Sequence, residues 1–174
     1  MDEKKRGRFE VRYRRLFFFL WNAAMPDWIC KPHQELTVAE IYAILQLRTE
    51  VFVVEQNCVF QDLDGKDLVG QTSHLMAWQG DQLAAYCRIL DPSLNKNGDI
   101  EIGRVISAPW TRGQGLGHEL IRHAMAEVRR RWPGRAMYLG AQARLRAYYG
   151  GHGFVEVTEE YIEDGIPHVG MRLG

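Results

Sequence analysis

The sequence predicts a single α/β domain built on a mixed sheet, and three observations carry that expectation. The first is bulk composition: 174 residues, 46% hydrophobic and 25% charged, describe one ordinary globular domain with enough apolar surface for a real core. The second is the alternation of short apolar runs, bounded by turn residues, with segments of helical period. The third is their order, hairpin signals first and strand–helix–strand units later. Disorder, collagen and an all-chain coiled coil are excluded. No apolar run approaches the ~20 residues of a membrane span, and the longest, Leu16–Trp21, is far shorter.

Residues 1–24 stand apart from the rest. They carry seven cations against three anions and end in an apolar, aromatic run. A secretory leader, a membrane-surface or partner-binding arm, and an upstream start with the natural chain beginning at Met25 are the three readings. The last is the plainest, so the domain is expected over residues 25–174.

Within the domain, Thr37 and Glu40 form a capping box opening a helix over Val38–Val54, with Ile41, Leu45 and Phe52 on one face and Ile44 and Val51 alongside. An acidic, turn-rich connection spans Asp62–Asp67. Leu75–Trp78 and Leu83–Leu90 flank Gly80-Asp81 as an antiparallel hairpin, and Asp91–Gly98 reads as a loop. A strand over Ile100–Ser107 runs into alternate glycines. The helix that follows turns Leu116, Leu120, Ala124 and Val128 inward and Arg122, Arg129 and Arg130 outward, until Trp132-Pro133-Gly134 stops it. Ala136–Ala141 is a strand, Ala143–Tyr149 a short helix, and Phe154–Thr158 and His168–Arg172 are the last strands.

Formal net charge is zero, which argues against a general nucleic-acid or acidic-membrane binder. Cys30, Cys58 and Cys87 form no CxxC pair, so a disulfide framework and a zinc ribbon are both disfavoured and a reducing, cytoplasmic setting is expected. No metal is expected either. His118 and His123 lie one residue too far apart for a zinc helix, and Asp62-x-Asp64-Gly65 is too compressed for a calcium loop.

The chemical signal is Arg112-Gly113-Gln114-Gly115-Leu116-Gly117, between a strand and an amphipathic helix. Glycines let a backbone turn tightly and aim amide hydrogens at an anion; the helix N-terminus and Arg112 add positive potential suited to a pyrophosphate. No Gly-Lys-Ser/Thr follows, as a P-loop would need, and the spacing is not the dinucleotide GxGxxG. On spacing alone, a turn that merely needs small residues remains the alternative.

Arg112-x-x-Gly115-x-Gly117 after a strand resembles the acetyl-CoA pyrophosphate signature of the GNAT superfamily of N-acetyltransferases, and Tyr149-x-x-x-Gly153-Phe154 is a second match. Further blocks resemble the ElaA group: Leu47-Arg48 with Val51–Cys58, Gln61-Asp62 with Asp64, Gly103-Arg104-Val105, Tyr138–Gln142 and Asp164–His168. The resemblance runs from about Trp28 to the C-terminus. It implies a GNAT fold, a mostly antiparallel mixed sheet flanked by helices, and acetyl-CoA as co-substrate. Val105, Ile106, Ser107, Arg112, Gly113, Gln114, Gly115, Leu116 and Gly117 are then expected to hold it, with Gln142 where many GNAT enzymes carry an Asn.

The resemblance further implies direct transfer of the acyl group to a primary amine of a small molecule, peptide or protein; no nucleic-acid or membrane partner is expected, and a homodimer is an option. As plain residues Tyr148 and Tyr149 both read as packed helix aromatics; the resemblance singles out Tyr149 as the acid for the departing thiolate. Glu101 is the leading base, ahead of Glu55 and His74. Arg48, Glu55, Asp62, Asp64, His74 and His168 are the expected acceptor-site residues, the acidic connection suiting a cationic amine. The rival expectation is a non-catalytic acyl-CoA-binding module of the same fold, and a nucleotide-binding protein is a third.

Overall fold

The structure, a computed structural model, describes residues 25–174; the N-terminal segment set apart above lies outside the described residues. Strands β1 (Asp27–Pro32), β2 (Ser73–Gln79), β3 (Gln82–Ile89) and β4 (Ile100–Ser107) follow one another as an antiparallel meander. Helix α1 (Val38–Arg48) lies between β1 and β2, and α2 (Leu116–Arg131) links β4 to β5 (Met137–Gln142). A short helix α3 (Arg146–Gly150) and strands β6 (Val155–Glu156), β7 (Tyr161–Glu163) and β8 (Ile166–Leu173) complete the chain. The sheet runs β1-β2-β3-β4-β5-β8-β6, with β7 on β8, and only β4 and β5 pair in parallel. Among the described residues no helix is long and apolar enough to cross a membrane.

The two faces of the sheet bury two cores. On one, Leu120, Ile121, Ala124 and Val128 of α2 press on Ile89, Ile100, Ile102 and Leu139, all nearly inaccessible to solvent. The arginines of α2's last turn sit at the negative end of the helix dipole. On the other face, Ile44, Leu47 and Val51 pack against Met76, Tyr86 and Ile106.

Helix α1 begins as expected: the Thr37 hydroxyl accepts from the Glu40 amide at 3.2 Å and the Glu40 carboxylate accepts from the Thr37 amide at 2.8 Å. It ends differently. From Thr49 to Glu55 the helix widens to π geometry, with the Gln56 and Cys58 amides reaching five residues back to Val51 and Val53. The buried face is Ile44, Leu47, Arg48 and Val51, while Ile41, Leu45 and Phe52 are half-buried. The apolar pattern misplaced that face because one of its inward residues is an arginine. Strands β1 and β7 are additional to the expected set, and the strand expected over Phe154–Thr158 shrinks to two residues.

Candidate active site

β4 and β5 pair only at Ile100–Met137 and Glu101–Tyr138, then diverge. β4 carries a bulge at this point: its register with β3 shifts between Tyr86 and Arg88, and Arg104 takes a left-handed φ of 52°. Beyond the bulge the Ala108 amide bonds Ala84 on β3, so the alternation of an antiparallel ladder turns the amides and carbonyls of Ser107 and Val105 away from β3, into the gap. The gap is a cavity of about 840 Å³ lined by β4, β5, the π-helical turn, the glycine loop and the β7–β8 turn.

At one end lies the glycine loop. Gly113 and Gly115 have φ of 76° and 81°, and a Cβ on either would meet nothing within 4 Å, so they serve backbone shape. Gly115 is the N-cap of α2 and no side chain caps it, which leaves the first amides of the helix facing the cavity mouth. Gly117 serves packing instead: a Cβ there would stand 3.1 Å from the Tyr148 hydroxyl and 3.4 Å from Ser107 Oγ. The cradle fits a diphosphate. Arg112 borders it and is held by Glu55 in a bidentate pair at 2.8 and 2.9 Å, both side chains solvent-accessible. That pair lowers the Glu55 carboxyl below its usual range.

Tyr149 lines the cavity from α3 and is only 6% exposed, set edge-on to Tyr148 and to Phe154. Burial pushes its phenol well above the ordinary value. Burial likewise raises Tyr148 to about 12.

The other end is built by side chains from distant segments. Glu101 and Tyr138 stand together on neighbouring strands, with Tyr161, Glu163 and His168 beside them on the same cavity. Burial, then Tyr138 and Glu163, raise Tyr161 to about 12. Phe52, Gln56, Cys58 and Phe60 form a further part of its wall. Gln142 Nε2 donates to Gln56 Oε1 at 3.1 Å and Cys58 Sγ to the Asp164 carbonyl at 3.3 Å, so the segment after the π turn bridges both sides of the gap. Left-handed non-glycine residues among the described ones are Asn57, Arg104 and Asp164, all in or beside this cavity. Such conformations cost of order 1–3 kcal/mol each and concentrate at functional sites.

Behind the wall lies a charged network. Arg48, fully buried, donates from Nε to Asp62 at 2.8 Å and from Nη1 to Asp67 at 2.6 Å. Arg88 holds both oxygens of Asp64 at 2.7 Å and reaches Asp67 at 2.9 Å. Arg104 Nε donates to the second oxygen of Asp62 at 2.7 Å. His74 bridges the Tyr86 hydroxyl (2.8 Å) and the Asp67 carbonyl (3.0 Å). Burial would raise the Asp64 carboxyl, but its Arg88 hydrogen bonds outweigh that and hold it well below the carboxylate range. Burial depresses His74.

The sequence-predicted residues therefore divide. Glu101, Val105, Ile106 and Ser107 of β4 line the cavity, as do Arg112, Gly113, Gly115, Leu116 and Gly117 of the loop. So do Gln142, Tyr149, Glu55 and His168. Gln114 turns outward, its amide donating to the Trp110 carbonyl at 3.2 Å. Arg48, Asp62, Asp64 and His74 are not on the cavity wall: their charges and ring nitrogens are consumed in the network, so the acidic connection presents no free carboxylates to a cationic amine. Arg104, Phe52, Phe60, Tyr138 and Tyr161 line the cavity without having been expected there. Only the Gly103-Arg104-Val105 block hinted at Arg104. The two histidines of α2 part company as their spacing requires, His123 stacking on Trp28 and His118 meeting His152 at 2.9 Å.

Known proteins share this plan. The family profile "Acetyltransferase (GNAT) domain" matches residues 42–174. ElaA of Escherichia coli is 47% identical over 150 residues, 84% of this chain and 95% of ElaA, and its crystal structure superposes with a TM-score of 0.80 over 85% of this chain and 99% of its own. The crystal structure of an acyl-CoA N-acyltransferase from Pseudomonas aeruginosa matches at a TM-score of 0.83 and 58% identity, over 86% of this chain and 99% of that one. At 13% identity an aminoglycoside 6'-N-acetyltransferase complexed with coenzyme A shares the fold alone, at a TM-score of 0.63 over 83% of this chain and 96% of that one. An open β4–β5 slot fed by a glycine loop, found on a chain that this profile matches over most of its length, leads to one assignment: the chain belongs to the GNAT family of acetyltransferases and is a relative of ElaA.

Proposed function

We propose that this protein transfers an acetyl group from acetyl-CoA directly to a primary amine. The observation that carries the reading is convergence: the uncapped, glycine-shaped N-terminus of α2, the unpaired edge of β4 and the buried phenol of Tyr149 open into one cavity. Acetyl-CoA supplies the activated acyl group and a thiolate leaving group. The amides from Gly113 to Gly117 and the Arg112 guanidinium bind its pyrophosphate. The exposed β4 edge pairs with the amides of its arm, and a β4 amide at Val105–Ser107 donates to the oxygen on which charge develops.

Tyr149 holds the proton that the sulfur takes. Its raised pKa keeps it protonated through the neutral range, the state an acid must be in. The acceptor amine, with an ordinary pKa of ~10.4, must lose a proton before it attacks. Glu101, half-buried at the point where β4 and β5 part, is the carboxylate positioned to take it.

Thermal melting with acetyl-CoA, CoA, ATP and NADH in parallel, followed by thiol release with an amine panel, tests the proposal. A ligand at a hundred times its dissociation constant stabilises by ~2.7 kcal/mol, so CoA and acetyl-CoA should raise the midpoint by several degrees and the other two should not. Tyr149→Phe is expected to lower kcat about 100-fold with CoA affinity unchanged. CoA binding with no turnover on any amine would instead identify a non-catalytic acyl-CoA-binding module.

A further inference from the structure

We propose that Arg104 anchors a carboxylate of the acceptor, so that the amine acetylated here belongs to an amino acid, a peptide end or another amino-carboxylate. The inference rests on the transferase reading above and names its substrate class.

Arg104 occupies a left-handed position in a strand, φ 52°, with Gly103 immediately before it. Glycine would sit at such a position without strain, so what the fold places there is a guanidinium at the expense of an easier backbone. Of the three arginines of the network, Arg48 and Arg88 are closed off from solvent, with side-chain exposures of 0% and 2%, whereas Arg104 is 22% exposed and lines the cavity. Its Nε and Nη2 are engaged, with Asp62 Oδ1 at 2.7 Å, the Asp62 carbonyl at 3.1 Å and Asp64 Oδ2 at 3.5 Å. Its Nη1 has no hydrogen-bond partner among the described residues and is not a buried atom left unsatisfied. The Nε/Nη2 edge of the guanidinium is fixed, and Nη1 is left unpaired on a residue that lines the cavity.

Two further features bear on that free nitrogen. Phe52 and Phe60, both on the cavity wall, lie 6.0 and 5.6 Å from the guanidinium carbon and fix its plane. Asp62, the nearest counter-charge, is shared with Arg48, and Asp64, farther from Arg104, is shared with Arg88. The other cations on the cavity are placed differently. Arg112 is paired with Glu55, and Arg144 is an exposed rim residue donating to Gln142 at 3.0 Å.

The same cavity is lined by Glu101, three residues before Arg104 on β4, and by Glu163 and Asp164 with Tyr138 and Tyr161. It thus carries a cation set against aromatic rings together with carboxylates and phenols. A molecule with both an ammonium and a carboxylate matches that lining. A singly charged carboxylate suits one free guanidinium nitrogen flanked by acidic groups better than a dianionic phosphate does.

The test uses the full chain with saturating acetyl-CoA and matched pairs of acceptors differing only in the carboxylate: L-phenylalanine, L-lysine, Nα-acetyl-lysine, 4-aminobutyrate and 6-aminohexanoate, each against its carboxamide. Thiol release is expected to show kcat/KM at least about tenfold higher for the acid in the best pair. Arg104→Gln should bring that ratio within about threefold of unity by loss on the acid alone, with CoA affinity by calorimetry unchanged. Acid and amide turned over equally in every pair, no acid accepted although CoA binds, or R104Q lowering both members alike would overturn the proposal. The wild-type comparison decides the matter even where R104Q melts below the assay temperature. Absence of CoA binding would sink the transferase reading itself, an outcome distinct from loss of acid preference.

Discussion

The two ends of the cavity are made in opposite ways. The end proposed for the cofactor is six consecutive residues, 112–117, whose glycines set the backbone shape. The acceptor end is assembled from the π turn, a loop, two strand ends and a β-turn, held in register by side chains far apart in sequence; Arg104 and Asp62 are 42 positions apart. The first takes its shape mainly from local backbone, with Glu55 and Tyr148 as its distant contacts. The second exists only when the whole domain is folded. Damage to the network behind the acceptor wall should therefore weaken global stability, whereas damage to the loop should weaken the cofactor and leave the fold largely intact.

The largest effect is expected from Arg48→Met, which strips one member from a buried network and leaves Asp62 and Asp67 short of a partner. Removing one side of such a pair costs about 3–5 kcal/mol, a large share of a domain's usual margin of 5–15 kcal/mol. Urea unfolding should register it, and the fraction still folded should bind CoA normally. Gly115→Ala comes next. The position has room for a methyl group but requires a left-handed backbone, so the cost is conformational, about 1–2 kcal/mol, and CoA affinity should fall with it. Gly117→Ala, with ordinary backbone angles and only the Tyr148 hydroxyl and Ser107 in the way, should cost less; calorimetry on the two variants separates shape from packing.

Stability against pH sharpens the comparison further. His74 is depressed by burial, so below an ordinary histidine value of ~6.5 the unfolded chain binds protons that the folded one refuses. Its contribution is complete above that pH and drains away as the pH falls. Asp64 and Asp67 are also depressed, and their contribution is lost only below the ordinary carboxylate value of ~3.9. Urea midpoints should thus decline from about pH 6.5 and more steeply below about pH 4, and His74→Gln should flatten the upper part. The smallest expected effect is from Glu55→Gln. The solvent-accessible pair with Arg112 is worth at most ~1 kcal/mol. Its loss should leave stability nearly unchanged while releasing Arg112 for the diphosphate, a gain in CoA affinity of a few-fold that fades with added salt.

What could be read from the chain follows the same division. The capping box at Thr37 and Glu40, the inward row Leu116, Leu120, Ala124 and Val128, and the glycines at 113 and 115 are all expressed over a few residues, where propensity and periodicity act. Arg48 was expected at the acceptor site, but partners 14 and 19 positions away, invisible in the local pattern, make it an interior residue of the network. The aspartates of the 62–67 connection looked like a lure for an amine for the same reason, since their countercharges are elsewhere in the chain. The π turn adds one residue to a helical repeat, and nothing in Thr49–Glu55 announces it. β1 includes Pro32 and lacks clean apolar alternation, so pairing with β2 alone defines it.

The divergence of β4 from β5 after only two paired positions has one more consequence. A continuous sheet separates its two faces; here the partition has a slot. The glycine loop leads into it from the α2 side, where Gly117 packs on Ser107, and Glu101, Tyr138 and Tyr161 stand on the side where α1 lies. Two molecules can meet through such a slot without either blocking the other's exit. A competitor lodged on the α1 side would then leave the diphosphate cradle accessible, and inhibitors of the two sides would bind together and not in place of one another.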